Sequence, residues 1–230
     1  MTDKPLEQRS VEWRKLRCGD VTASRFCDVM TQPRTKVAKD NQEWSETARS
    51  YMLEKLGELL TGIPADRFLS APTRWGQEWE SAAFEAARNA VAERFKGWSV
   101  QAPVGEFAYI HHPTEPGIGC SPDGVIGEDG LLELKCPFNP VNHLRTVLSG
   151  EMPEKHKEQV QGSLWIAERH WYIFGSFDPR VADAGINPLF LVRVERDEQY
   201  IKHELAPRVI RFRDWLMAEY ERLTGGKAPF

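Results

Sequence analysis

The stretch Cys120-Ser121-Pro122-Asp123-Gly124-Val125-Ile126-Gly127-Glu128-Asp129-Gly130-Leu131-Leu132-Glu133-Leu134-Lys135-Cys136 decides the reading of this chain. Residues 120–126 and 131–136 have the length and composition of short strands, and Gly127-Glu128-Asp129-Gly130 is a turn of the kind that joins antiparallel neighbours. Side chains alternate faces along a strand, so Glu133 and Lys135 project together while Leu132, Leu134 and Cys136 face a core. The turn returns Asp123 to within reach of Glu133. Two carboxylates and a lysine therefore converge.

Outward from this hairpin the pattern is helical first. Residues 45–60 place Ala48, Tyr51, Met52, Leu56, Leu59 and Leu60 at helical spacing, with Gly62 as the stop. A second helix is expected from Thr73, as its cap, to near Gly97. Short strands follow at 98–103, 107–110, 120–126 and 131–136, punctuated by Gly and Pro. A short helix comes after Pro140 and a longer one starts at Pro153, where the missing N–H would be unpaired anyway. In that longer helix Val160, Leu164 and Ala167 form an apolar stripe, with His156, Gln159 and Ser163 on another face. Strands at 170–177 and 189–194 and a terminal helix at 197–223 complete the order. It predicts an α/β fold with a mixed central sheet flanked by helices, not a repeating βαβ unit. The whole chain, 1–230, reads as one domain with its core at about 73–195.

Composition excludes several classes. The chain has 230 residues, 41% hydrophobic and 28% charged, which is neither a disordered tail nor a repeat array. No apolar run approaches the roughly 20 residues of a membrane span, and residues 1–7 lack the apolar core of a secretion signal. A cytoplasmic protein with no membrane attachment is expected. Cys18, Cys27, Cys120 and Cys136 form no Cys-x-x-Cys pair, which argues against a zinc site or a disulfide framework and for reduced, mostly buried thiols. Neither glycine-rich phosphate-loop pattern occurs. Thirty Lys and Arg stand against 34 Asp and Glu, a formal charge of −4. Residues 1–40 nonetheless hold nine basic residues against six acidic ones, so positive charge gathers at the N-terminal end.

The converging trio has a chemical use. Carboxylate oxygens are hard ligands for Mg²⁺, which keeps several waters and needs only one or two carboxylates plus a substrate phosphate. A metal there polarises the phosphate and acidifies a bound water, and Lys135 is placed to hold or deprotonate that water or to neutralise charge. Periodicity alone equally fits a solvent-exposed Glu133–Lys135 pair on one strand face.

Pro122-Asp123 followed by Glu133-Leu134-Lys135 matches the PD-(D/E)xK nuclease signature. Around it stand Trp13-Arg14-Lys15-Leu16-Arg17 with Thr22-Ala23-Ser24, Trp75-Gly76-Gln77-Glu78-Trp79-Glu80, Glu133-Leu134-Lys135-Cys136-Pro137-Phe138 and Gln159-Val160-Gln161. In this order and spacing the chain resembles the lambda-exonuclease-like, YqaJ-type viral recombinase family over nearly its whole length. The resemblance implies a restriction-endonuclease-like fold. It also implies a 5′→3′ exonuclease that degrades one strand of linear double-stranded DNA to mononucleotides, leaving a 3′ overhang for recombination. Asp123, Glu133 and the Leu134 carbonyl would hold Mg²⁺, with Mn²⁺ as a substitute; Lys135 would stand beside the attacking water, assisted by Glu80 and Gln159. Arg17, Ser24 and Ser121 would bind the 5′-phosphate, and Arg34 would contact duplex DNA; His156 departs from the family by replacing an aromatic, and a contact to a DNA phosphate or to the water is expected of it. The resemblance further implies a homotrimeric ring, a single-strand annealing protein as partner, and a phage or prophage origin in a bacterial host. Residues 70–74 lack the larger aliphatic side chain that the lambda enzyme uses to part the strands at the duplex end. A structure- or sequence-specific endonuclease on the same fold, and a non-catalytic DNA-binding scaffold, are the alternatives.

Overall fold

The computed structural model describes residues 4–65, 70–95 and 97–229; Asp3, counted in the N-terminal charge, lies outside them. The chain opens with α1 (Val11–Leu16), β1 (Val21–Thr22), α2 (Phe26–Met30), α3 (Lys36–Asp40), α4 (Glu46–Thr61) and α5 (Ala71–Arg94). Six strands and two helices follow: β2 (Val100–Gln101), β3 (Ile110–His111), β4 (Ile118–Cys120), β5 (Gly124–Ile126), β6 (Gly130–Lys135), α6 (Pro140–Ser149), α7 (Lys157–Ile166) and β7 (Trp171–Phe177). The end of the chain is β8 (Leu189–Glu195), then α8 (Glu198–Tyr200), which runs through a π turn (Ile201–Leu205) into α9 (Ala206–Thr224). The π turn is local to Pro207, which has no N–H for the carbonyl one turn back.

The central sheet has the order β2-β5-β6-β7-β8, with β6 and β7 parallel and the other pairs antiparallel. This is the mixed sheet the sequence predicts. Both of its faces are covered. Ala83, Ala87 and Val91 make a fully buried stripe on α5 that packs with Leu132, Leu134 and Ile173. On the other face Val160 and Leu164 of α7 pack with Val125, Leu131, Tyr172 and Phe174. A third core joins α2, α4 and α9 to a small sheet of order β1-β4-β3.

Some local readings change. Residues 120–126 are two strands in two sheets, β4 and β5, because Pro122 has no N–H for a ladder. That break leaves Asp123 at the junction of the sheets. Ser70, not Thr73, caps α5, its hydroxyl accepting from the Thr73 N–H, so 70–74 form the cap and first turn of the helix. The α7 segment keeps its two faces, Val160 and Leu164 packing in the core while Gln159 and Ser163 line a cavity, although Ser163 is itself buried. The four cysteines are free as expected, but only Cys120 is buried.

Gly162 is the contact that seats α7 against the N-terminal third of the chain. A Cβ there would stand 2.4 Å from a ring carbon of Phe26. Alanine gains about 1 kcal/mol in helix propensity, while overpacking a filled core costs about 1–3 kcal/mol. Gly162→Ala should therefore lower the urea midpoint. Gly57→Ala in α4, where a Cβ meets nothing within 4 Å, should raise it by up to about 1 kcal/mol in stability.

Candidate active site

Antiparallel pairing of β5 with β6 sets Gly124 opposite Leu132, and the Asp123 N–H donates to the Leu132 carbonyl at 2.9 Å. Asp123 thus sits beside Glu133. One of its oxygens accepts the Leu134 N–H at 2.7 Å. Glu133 is only 3% exposed, which removes it from the class of solvated surface pairs. Its carboxylate accepts from the Lys135 ammonium, from Gln159 Nε2 at 2.6 Å and from the Tyr172 hydroxyl at 3.4 Å. Lys135 also donates to Gln159 Oε1 at 3.1 Å, so the Gln159 amide is engaged at both ends.

The electrostatics follow from this crowding. Burial, and next the neighbouring Glu133 charge, push the Asp123 carboxyl well above the ordinary range. Burial alone would lower Lys135, but Glu133 and Asp123 outweigh it and hold the ammonium above the usual lysine value. Lys135 is accordingly a charge and a donor of N–H groups. Burial pushes the Cys120 and Cys136 thiols up to about 12, which leaves both without nucleophilic character.

A cavity of about 150 Å³ opens over these groups. Asp123, Glu133, Glu80 and Gln159 line it together with Arg17, Ser24 and Ser121. Acidic and basic groups separated by more than a hundred positions therefore share one chamber. The Arg17 guanidinium lies 4.0 Å over the Trp13 ring, and Trp13 Nε1 donates to Ser121 Oγ at 3.2 Å and to the Ala108 carbonyl at 2.9 Å. Ser24 lies inside a short 3-10 turn, Ala23–Arg25, rather than at its cap, with its hydroxyl 3.4 Å from that of Thr22. Arg34 is exposed in the loop between α2 and α3 and does not line the cavity. His156 does not line it either: its ring lies 5.2 Å from that of Phe174, and burial, then the Lys135 charge, lower its pKa to about 3. It is neutral at physiological pH.

Sequence reasoning missed Tyr172, Gln8 and Arg9. Tyr172 carries no motif, and only the parallel register of β7 on β6 brings its hydroxyl to Glu133. Gln8 donates to the Pro122 carbonyl at 2.9 Å and Arg9 forms an ion pair with Glu80. Their position just upstream of the Trp13 motif was the available signal. A second cavity, about 280 Å³, lies on the far side of Asp123, Glu80 and Arg9, against Phe84, Pro103 and Leu134.

A model of the YqaJ-like viral recombinase domain matches residues 12–170, which includes every element of the cavity except its extreme N-terminal strip. The chain belongs to this family. The YqaJ-like fold is shared with an alkaline exonuclease, LHK-Exo, from Laribacter hongkongensis, at 34% identity over 94% of this chain and 97% of that one, with a TM-score of 0.77. A structure of LHK-Exo in complex with dAMP matches to the same extent. A phage-related exonuclease from Haemophilus somnus 129PT shares the fold at 16% identity, with a TM-score of 0.58 over 87% of this chain and 96% of that one. No curated protein sequence matches. Among the described residues of this YqaJ-like chain, no helix is long and apolar enough to cross a membrane.

The raised Asp123 pKa has a consequence for stability. Above the unfolded value near 4 the native state holds more protons than the unfolded chain, so stability falls as pH rises until the native pKa is passed. Asp123→Asn keeps an oxygen for the Leu134 N–H and removes the charge. In chelator-treated protein it should melt higher than the parent at neutral pH, with the difference shrinking as pH falls towards 4, read by thermal melts across pH.

Proposed function

We propose that this protein is a metal-dependent DNA exonuclease that degrades one strand of linear duplex 5′→3′ to mononucleotides, leaving a 3′ overhang for recombination. The observation that carries the reading is the single chamber lined by Asp123 and Glu133, with Lys135 bonded to Glu133 behind it, and by Arg17, Ser24 and Ser121. One end is built for a cation and the other for an anion. Membership of the viral recombinase family and the likeness to exonucleases support it. The dAMP bound by LHK-Exo is a mononucleotide, in keeping with such a product.

Among the described residues, no group of three His, Cys, Asp or Glu side chains is set to hold a metal. Mg²⁺ does not require one: two carboxylates, with water and substrate oxygens, are its ordinary environment. Asp123 and Glu133 fit by the chemistry of their donors, two hard carboxylates side by side whose mutual repulsion a divalent cation would relieve. They would hold Mg²⁺ or Mn²⁺, joined by the Leu134 carbonyl and by Glu80 directly or through water. When bound, the metal would polarise the scissile phosphate and acidify an attacking water.

The protein's own groups divide the remaining tasks. Lys135 holds the water or a phosphate oxygen through its N–H groups, in an orientation fixed by Gln159 and Glu133. Arg17 offers a planar fork to the terminal 5′-phosphate, pre-oriented by stacking on Trp13, and Ser24 and Ser121 add directional donors. Tyr172 steadies Glu133 from the neighbouring strand, on the same face of the sheet. Arg34 and His156 would act on duplex outside the chamber. The same proposal includes a homotrimeric ring around duplex and delivery of the 3′ strand to a single-strand annealing protein. Enclosure suits a chain of net charge −4, which has little electrostatic grip to spare.

With Mg²⁺ and linear 5′-phosphorylated duplex, mononucleotides should appear while closed circular plasmid stays intact; rapid plasmid cutting would replace this reading with an endonuclease. Lys135→Ala should lower turnover by about 10²–10⁴-fold. Unchanged DNA processing in that variant would leave only a non-catalytic scaffold. Arg17→Ala should cut the preference for 5′-phosphate over 5′-hydroxyl ends by roughly tenfold or more, since hydrogen bonds to charged groups carry about 1.5–3 kcal/mol. Competition between end-labelled duplexes measures it.

A further inference from the structure

We infer that Arg9 is a phosphate-binding residue held in reserve by Glu80, and that a divalent ion at Asp123 and Glu133 releases it by drawing Glu80 away. This rests on the reading above, in which those two carboxylates hold the metal beside the substrate phosphate. Arg9, Glu80 and Asp123 are the residues that line both cavities, so the guanidinium stands on the partition where a chain of nucleotides would pass from one to the other.

Its position is built, not incidental. Arg9 has φ +69°, a left-handed conformation that non-glycine residues rarely adopt. The neighbours on both sides enforce it. Glu7 bridges to Val104, the Gln8 amide donates to the Pro122 and Ala108 carbonyls, and the Ser10 hydroxyl caps α1. The strand break at Pro122 that exposes Asp123 is thus the same point that pins the arginine.

The pairing is also made to be exchanged. Arg9 and Glu80 side chains are 46% and 36% exposed, and an ion pair so open to water is weak. One carboxylate cannot serve a guanidinium and a metal-bound shell at full strength. If Glu80 turns to the ion, a planar fork of N–H donors is freed beside Asp123, where it can grip a phosphate oxygen. Arg9 and the metal therefore compete for Glu80 when DNA is absent and cooperate when it is present.

The test uses the intact chain. Arg9→Gly suits it because glycine accepts the left-handed φ, so folding is not endangered. In Mn²⁺ titrations by calorimetry without DNA, Arg9→Gly should bind about two- to fivefold tighter than the parent, the worth of a half-exposed ion pair. Equal or weaker Mn²⁺ binding overturns the inference. In chelator, Glu80→Gln should tighten binding of a 5′-phosphorylated hairpin by fluorescence anisotropy, and that gain should vanish in the Arg9→Gly background. A gain that persists there is mere loss of negative charge and also overturns it. Asp123→Asn separates the two layers: if it binds Mn²⁺ as the parent does, the metal reading itself fails.

Discussion

A nearly buried carboxylate on the central strand is the constraint around which this molecule is arranged. Taking Glu133 out of water is tolerable only because an ammonium, an amide and a phenol meet it, from β6 itself, α7 and β7. Each of those partners has to be delivered by tertiary structure. Gln159 arrives because α7 lies flat on the sheet, Val160 and Leu164 filling one core while Gly162 admits the Phe26 ring on the other side. Tyr172 arrives because β7 runs parallel to β6 in a register that sets Tyr172 opposite Leu131.

The second consequence is that one chamber holds acidic and basic groups together. Asp123 and Glu133 come from the sheet, whereas Arg17, Ser24 and Arg9 come from a segment folded back over it. Trp13 is the hinge of that overlap, since its ring supports Arg17 and its N–H reaches Ser121 and the Ala108 carbonyl. The same small sheet that receives this segment, β1-β4-β3, ends at Cys120, two residues before the strand break that frees Asp123. The acidic and basic groups of the chamber are therefore placed by one structural junction rather than by two independent loops.

Much of this was legible in the residues. The order of helices and strands from α4 onward, the hairpin that pairs Asp123 with Glu133, and the mixed sheet all follow from period-two and helical spacing with Gly and Pro punctuation. Local errors have local causes: Pro122 splits the segment 120–126 that reads as one strand, and Ser70 outcompetes Thr73 as a cap. Arg34, placed by resemblance, and His156, singled out where the chain departs from the family, do not line the cavity, because nothing in their spacing specified where loop and helix end would point.

The linear pattern alone determined which residues carry charge, which alternate to a buried face and where the backbone must turn, because those depend on neighbours within a few positions. Only the tertiary structure decided that Arg9 faces Glu80, that Tyr172 touches Glu133 and that the basic N-terminal strip roofs the acidic pair. Those juxtapositions join positions from 39 to more than 100 apart in the chain and follow from how whole elements pack, which no short-range periodicity encodes.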